Sequence, residues 1–157
     1  MNYMEIRKDL FEYLYEGFAL AHCISADFAL GAGIAKKFET RFHIKEKLLT
    51  KFGPRWDFDT AGATCIACGP LTYDMFGIRK TMIFNLVTKD RYWEKPTLEN
   101  MEKALIVLRK QCEKYNIRKL AMPRIGCGLD KLDWEDVSLL IQNVFSDCNI
   151  TIIVCYL

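Results

Sequence analysis

The chain has 157 residues, enough for one domain with a full core, and 51% of it is apolar. Its 22 Lys and Arg stand against 20 Asp and Glu, a balance that argues against a protein living on phosphate contacts along nucleic acid and against an acidic or disordered tail. No stretch of eighteen consecutive apolar residues is present to span a bilayer, and the charged start MNYMEIRKDL is unlike a signal peptide. An intracellular location follows as the expectation: cytoplasmic, and also nuclear in a eukaryote. The seven cysteines fit it, being odd in number and mostly set in apolar runs.

No repeat, low-complexity segment or linker divides the chain, so residues 1–157 are expected to form a single domain. Tyr3–Arg7 reads as a short first strand and Phe18–Ile24 as a buried one. Gly33–Phe42 and Ile44–Phe52 read as helices with a basic outer face of Lys36, Lys37, Lys45, Lys47 and Lys51, and Gly53-Pro54 stops the second. Thr64–Cys68 and Thr81–Val87 are strands joined by a turn around Asp74–Lys80. Thr97 caps a long helix whose Leu98, Met101, Leu105, Leu108, Cys112 and Tyr115 make one apolar stripe. Lys119–Met122 is the next strand. Asp133 caps a helix with Trp134, Val137, Leu140, Ile141, Val144 and Phe145 on one face, and Ile150–Tyr156 is the last strand. Strands alternating with helices imply an α/β fold with a largely parallel sheet between helices. In such sheets ligands bind where strand ends meet helix N-termini.

Two glycine loops fall at that position: Gly31-Ala32-Gly33-Ile34-Ala35, and Gly126-Cys127-Gly128 in MPRIGCGLDKLDWED. Glycine lets backbone N–H groups approach an oxyanion, and a helix N-terminus behind it adds donors and a favourable dipole. Either loop alone reads equally well as an ordinary tight turn, since a lone Gly-x-Gly is weak evidence. Two on neighbouring strands would hold a diphosphate from both sides. Neither carries the third glycine of a dinucleotide fingerprint or the Gly-Lys-Ser/Thr of a P-loop, which disfavours a nicotinamide dehydrogenase and a nucleotide triphosphatase.

Three segments, LAHCISADFALGAGIAKKF, LVTKDRYWEKPTLENM and MPRIGCGLDKLDWEDV, resemble a macro domain, in particular the subgroup of the terminal ADP-ribose protein glycohydrolase. The likeness spans nearly the whole chain. It implies a mixed, mostly parallel central sheet sandwiched between helices, with ADP-ribose lying across a cleft at the strand ends. By the same resemblance Asp9 accepts from the adenine amino group, and Leu10 makes the adjacent backbone contact. Ser25 and the Gly31, Gly33, Ile34, Ala35 loop face the distal ribose and diphosphate, and Arg124, Ile125, Gly126, Cys127, Gly128 and Leu129 form the second loop. Leu157 touches the adenosine side, and His22 is counted with the binding residues as a support of the cleft. Lys89 matches the catalytic lysine and Asp130 the catalytic acid. Lys8 departs from the family pattern, standing where a glycine usually precedes the adenine-binding acid.

The resemblance implies an ADP-ribosyl hydrolase that removes a single ADP-ribose from acidic side chains of a modified protein and deacylates O-acyl-ADP-ribose, without metal or other cofactor. ADP-ribosylated nucleic acid is a further possible substrate, a membrane partner is not expected, and charge balance favours a monomer. Two other readings stand beside it: a non-catalytic ADP-ribose-binding module, which needs neither Lys89 nor Asp130, and an ADP-ribose phosphate phosphatase, which needs only Asp130. A lysine amine attacks an anomeric carbon only when unprotonated. Asp90 would oppose that by pairing with Lys89, but neighbours on a strand point to opposite faces. Cys65-x-x-Cys68 lacks a second ligand pair for zinc, and its members also point to opposite faces. Cys127 has no histidine near in sequence, so its backbone N–H is expected to matter rather than its thiol. Trp56 is expected on the surface near the cleft.

Overall fold

The computed structural model describes residues 1–74, 76–128 and 130–157. Its elements run β1 (Asn2–Arg7), a 3-10 helix (Leu10–Glu16), β2 (Ala19–Ser25), α1 (Gly33–Phe42), α2 (Ile44–Phe52), α3 (Phe58–Ala61), β3 (Thr64–Thr72), β4 (Lys80–Lys89), α4 (Leu98–Lys114), β5 (Lys119–Pro123), α5 (Trp134–Val144) and β6 (Thr151–Tyr156). The sheet order is β1-β6-β5-β2-β4-β3. The first five strands in that order are parallel, and β3 closes the sheet as an antiparallel edge paired with β4. β2 and β5, which lead into the two glycine loops, are neighbours.

Alternation along the strands builds two cores. Leu20 and Ile24 of β2, Ile83 and Val87 of β4, and Ile153 and Cys155 of β6 pack with the 3-10 helix, α1 and α2. Ala19 and Ala21, Phe84 and Leu86, and Ile152 and Val154 pack with α4 and α5 on the other face. Both faces being covered explains why these strands read as continuous apolar runs rather than as alternating ones. Cys65 belongs to the α4 side and Cys68 to the α1 side, so the pair does not converge on one point.

The helix boundaries expected from Gly33, Ile44, Thr97 and Asp133 are those observed. Thr97 accepts from Asn100 N–H and Asp133 from Glu135 N–H as caps. The α4 stripe is narrower than its pattern: Met101, Leu105, Leu108 and Cys112 are buried, whereas Leu98 and Tyr115 are exposed at the ends, and Ala104 completes the contact face. In α5, Ser138 is buried because Tyr3 Oη lies 2.8 Å from its hydroxyl. The 3-10 helix was not expected. Asp9 starts it by accepting from Phe11 N–H, and Gly17 ends it in the left-handed region at φ 81°. Trp56 is a correction: it packs half-buried against Phe52, with Nε1 donating to the Gly62 carbonyl at 2.9 Å, because α2 and α3 close over it. No helix is long and apolar enough to cross a membrane.

Candidate active site

A cleft of about 500 Å³ opens at the carboxyl ends of β5 and β6. Asp9, Leu10, Ile34, Arg124, Cys127, Gly128 and Leu157 line it. Asp9 is exposed and spends one carboxylate oxygen on Phe11 N–H at 3.0 Å, which leaves the other free to accept. The Leu10 side chain is buried, so only its backbone can meet a ligand. Lys8 is accommodated without filling the cleft: its ammonium turns back to Glu16 at 3.3 Å and lies over the Tyr13 ring. The aromatic wall was missed in sequence. Arg124 lies 4.2 Å over the Tyr156 ring and 5.8 Å from the Trp134 ring, and Trp134 donates to Glu5 at 2.8 Å. Trp134 reads in sequence as one more apolar helix residue, and nothing there links it to the end of the chain.

The first glycine loop leads into a helix with no cap. Ala32 is the N-cap of α1 and offers no side-chain hydrogen bond, no acid stands in the first turn, and Gly31, Ala32 and Gly33 are exposed. Gly33 has φ 59°, where a side chain would be strained. The N–H groups of the first turn are thus presented outward, an arrangement that suits a phosphate. Ala35 is half-buried two residues further into the helix.

The second glycine loop corrects the expectation of equivalence. Its helix, α5, starts under Asp133 and carries Glu135 and Asp136 in the first turn, so its dipole already has its counter-charge. Cys127 N–H is turned onto the Arg124 carbonyl at 3.3 Å rather than left free, because the loop is a tight turn. Burial raises the Cys127 thiol to about 11, assisted by Asp133 nearby, which keeps it a thiol at neutral pH. Gly126 is a packing glycine: it has φ 74°, and a Cβ there would stand 2.8 Å from Met101 Cε and 2.9 Å from Leu132 Cδ1. Ile125 is buried beneath the loop. Leu129 lies outside the described residues.

Lys89 ends β4, and its ammonium pairs directly with the Asp130 carboxylate, both side chains being mostly sheltered. Asp90 is held elsewhere: its carboxylate takes the guanidinium of Arg55, with Arg91 at 3.7 Å. Ser25 is 5% exposed and its one proton goes to Asp27, so it shapes the loop rather than facing an open cleft. Asp27 is the residue that sequence reading passed over. It accepts from Ser25 Oγ, Ala29 N–H at 3.2 Å and Tyr92 N–H at 2.9 Å, tying the loop after β2 to the loop after β4. Burial pushes its carboxyl up, but these bonds and the nearby Arg55 outweigh that and leave it below the usual carboxylate value.

His22 is a second correction. It is fully buried, stacked 3.8 Å on Phe38 of α1, with Nε2 2.6 Å from Asn85 Oδ1. It supports the cleft from behind and does not reach a ligand. Asn85 fixes the roles: its amide donates to the Ile66 carbonyl, so its oxygen accepts from His22 Nε2–H. Burial lowers the imidazole to about 4, against a smaller upward effect of the Asn85 bond.

No family model matches the chain. It is 39% identical over 136 residues to the human ADP-ribose glycohydrolase OARD1, covering 87% of this chain and 80% of that protein. It is 27% identical over 138 residues to the DNA ADP-ribosyl glycohydrolase of Thermus aquaticus, covering 87% of this chain and 36% of that longer protein. Among solved structures the macrodomain of Thermus aquaticus DarG superposes with a TM-score of 0.77 at 24% identity, covering 99% of this chain and 98% of that one. With a glycohydrolase relative at this identity and coverage, and with a six-stranded sheet that matches solved macrodomains, the chain belongs to the macro domain family, among its ADP-ribose glycohydrolases.

Proposed function

We propose that this protein hydrolyses the bond between a single ADP-ribose and an acidic side chain, and also deacylates O-acyl-ADP-ribose, with Lys89 as nucleophile and Asp130 as acid and base. The observation that carries the reading is the contact of the Lys89 ammonium with the Asp130 carboxylate, two groups 41 residues apart brought together beside the glycine loops. Asp130 is the base in contact with the proton that Lys89 must lose. The freed amine attacks the anomeric carbon, the carbon–oxygen bond to the acyl group breaks, and the departing carboxylate takes the proton from Asp130. Asp130 then takes a proton from water, the hydroxide adds to the same carbon, and the carbon–nitrogen bond breaks. ADP-ribose is released and the proton returns to Lys89. Around this step the uncapped α1 N-terminus would hold the diphosphate, Asp9 the adenine amino group and the Arg124–Tyr156 wall the adenosine.

The test is release of ADP-ribose from a glutamate-modified protein by wild type, Lys89→Ala and Asp130→Ala, with calorimetric binding of ADP-ribose run in parallel. Both variants are expected to bind and to release nothing. Wild type that binds without release would establish a binding module instead. Full activity of Lys89→Ala would replace the covalent step by water activated at Asp130. The similarity to the Thermus aquaticus DNA ADP-ribosyl glycohydrolase favours adding ADP-ribosylated DNA as a second substrate arm.

A further inference from the structure

The loop after β4 sets an acid, Asp90, directly beside the lysine that the proposed reaction needs unprotonated. Strand alternation does not by itself keep the two apart, because β4 ends at Lys89 and Asp90 lies in a bend. What keeps them apart is Arg55, from the segment after α2. Its Nη2 takes Asp90 Oδ1 and stands 3.5 Å from the Asp90 carbonyl. Arg55 is itself held in place: Trp56 N–H donates to the Ala26 carbonyl at 2.9 Å, and Ala26 N–H donates to the Lys89 carbonyl at 2.9 Å. Its Nη1 is buried with no hydrogen-bond partner among the described residues. Such a placement costs desolvation and calls for a reason.

We propose that Arg55 is a positioning residue that sequesters the Asp90 carboxylate, so that Asp130 alone exchanges the Lys89 proton. The inference rests on the lysine reading above. Among the described residues, the charged and titratable groups around Lys89 are Asp130 and Cys127 in the second loop, Cys23 on β2, Asp27 after β2, Asp90 and Arg91 beyond β4, and Arg55, and burial keeps the Cys127 thiol neutral. Asp27 is occupied by three donors and Cys23 is kept neutral by burial, with Asp130 adding to the rise. Asp90 is therefore the acid whose freedom Arg55 controls. Released, it would become a second carboxylate competing for the Lys89 ammonium. A proton held between two acids leaves less readily, since an added opposite charge favours the charged amine.

A mutant cycle separates this role from simple bracing. Arg55→Gln is expected to lower kcat at neutral pH about tenfold with KM within about twofold, and to move the acidic limb of the pH–rate profile to higher pH. Asp90→Asn alone is expected to keep wild-type kcat, because it removes the competing charge together with the ion pair. The double variant is expected to recover most of the loss. If the pair merely braces the loop, Asp90→Asn falls as far as Arg55→Gln and the double variant recovers nothing, which overturns the proposal. The Asp90→Asn arm decides even if Arg55→Gln folds poorly. Lys89→Ala is assayed in the same series. If it stays active, the lysine reading falls and this inference with it. If it is inactive and the cycle shows no recovery, only the role of Arg55 falls.

Discussion

The loop after β2 and the loop after β5 both carry Gly-x-Gly, lie on neighbouring strands, and each leads into a helix. α1 begins with no side-chain cap and no acid in its first turn, while α5 begins under Asp133 with two more acids behind it. In the first loop Gly33 takes a positive φ at an exposed helix start, and in the second Gly126 takes one inside a packed turn, where a Cβ would press on the ends of the Met101 and Leu132 side chains. One motif therefore takes two forms: an open, uncapped helix start on one side, and on the other a packed turn that brings Asp130 to Lys89. Affinity should reside mainly in the first loop and turnover mainly in the second.

The largest expected break in that division comes from Asp130→Asn. It keeps the shape and removes the proton acceptor, so release should fall by at least about 100-fold. ADP-ribose affinity, measured by calorimetry, should stay within about threefold. Equal losses in both would merge the two roles. The next effect is on the other loop. Ala32→Asp supplies α1 with the cap it lacks and sets a negative charge where the diphosphate is expected. The helix should gain about 1 kcal/mol in denaturant unfolding, whereas ADP-ribose should bind roughly 30-fold more weakly. A gain in stability with unchanged affinity would remove the diphosphate from this helix end. Smaller again is Gly126→Ala, which should cost about 2 kcal/mol in stability, through positive φ and contact with Met101 and Leu132. Gly128→Ala, where a Cβ would meet nothing within 4 Å, should cost less than about 0.5 kcal/mol.

Sequence reached the helices, the strand order class and the two loops because each is written locally, in caps at Thr97 and Asp133 and in apolar runs. It could not separate the two loops, since the difference lies in what packs beneath Gly126 and in whether the next helix is capped. Lys89 and Asp130 came from family resemblance; spacing alone gives no reason to join residues 41 apart. Asp27 and Tyr92 are 65 apart, and the aromatic wall joins Trp134 to Tyr156, so both depend on sheet order. His22 shows the same limit. A histidine at the end of an apolar run suits a core or a cleft equally, and the register that sets His22 opposite Asn85 decides it.

That buried histidine gives a small effect and a handle on the first loop alone. His22 backs α1 through Phe38 and titrates at about 4 in the folded protein, against an ordinary value of 6.5. The unfolded chain thus takes up the proton first. The stabilising contribution of neutral His22 is complete above about pH 6.5 and drains away as pH falls from there toward 4. Between pH 7 and pH 6 the loss should be about 0.7 kcal/mol. Asp27 does not confound this window, because its carboxyl lies below the usual carboxylate value and its contribution is lost only at lower pH. His22→Gln keeps a donor for Asn85 and removes the titration. It should flatten the difference in unfolding free energy between pH 7 and pH 6, measured in denaturant. Hydrogen exchange along α1 should show the same contrast, and exchange along α5 should not. An equal response in both helices would mean that protonation loosens the whole sheet, not the first loop's support.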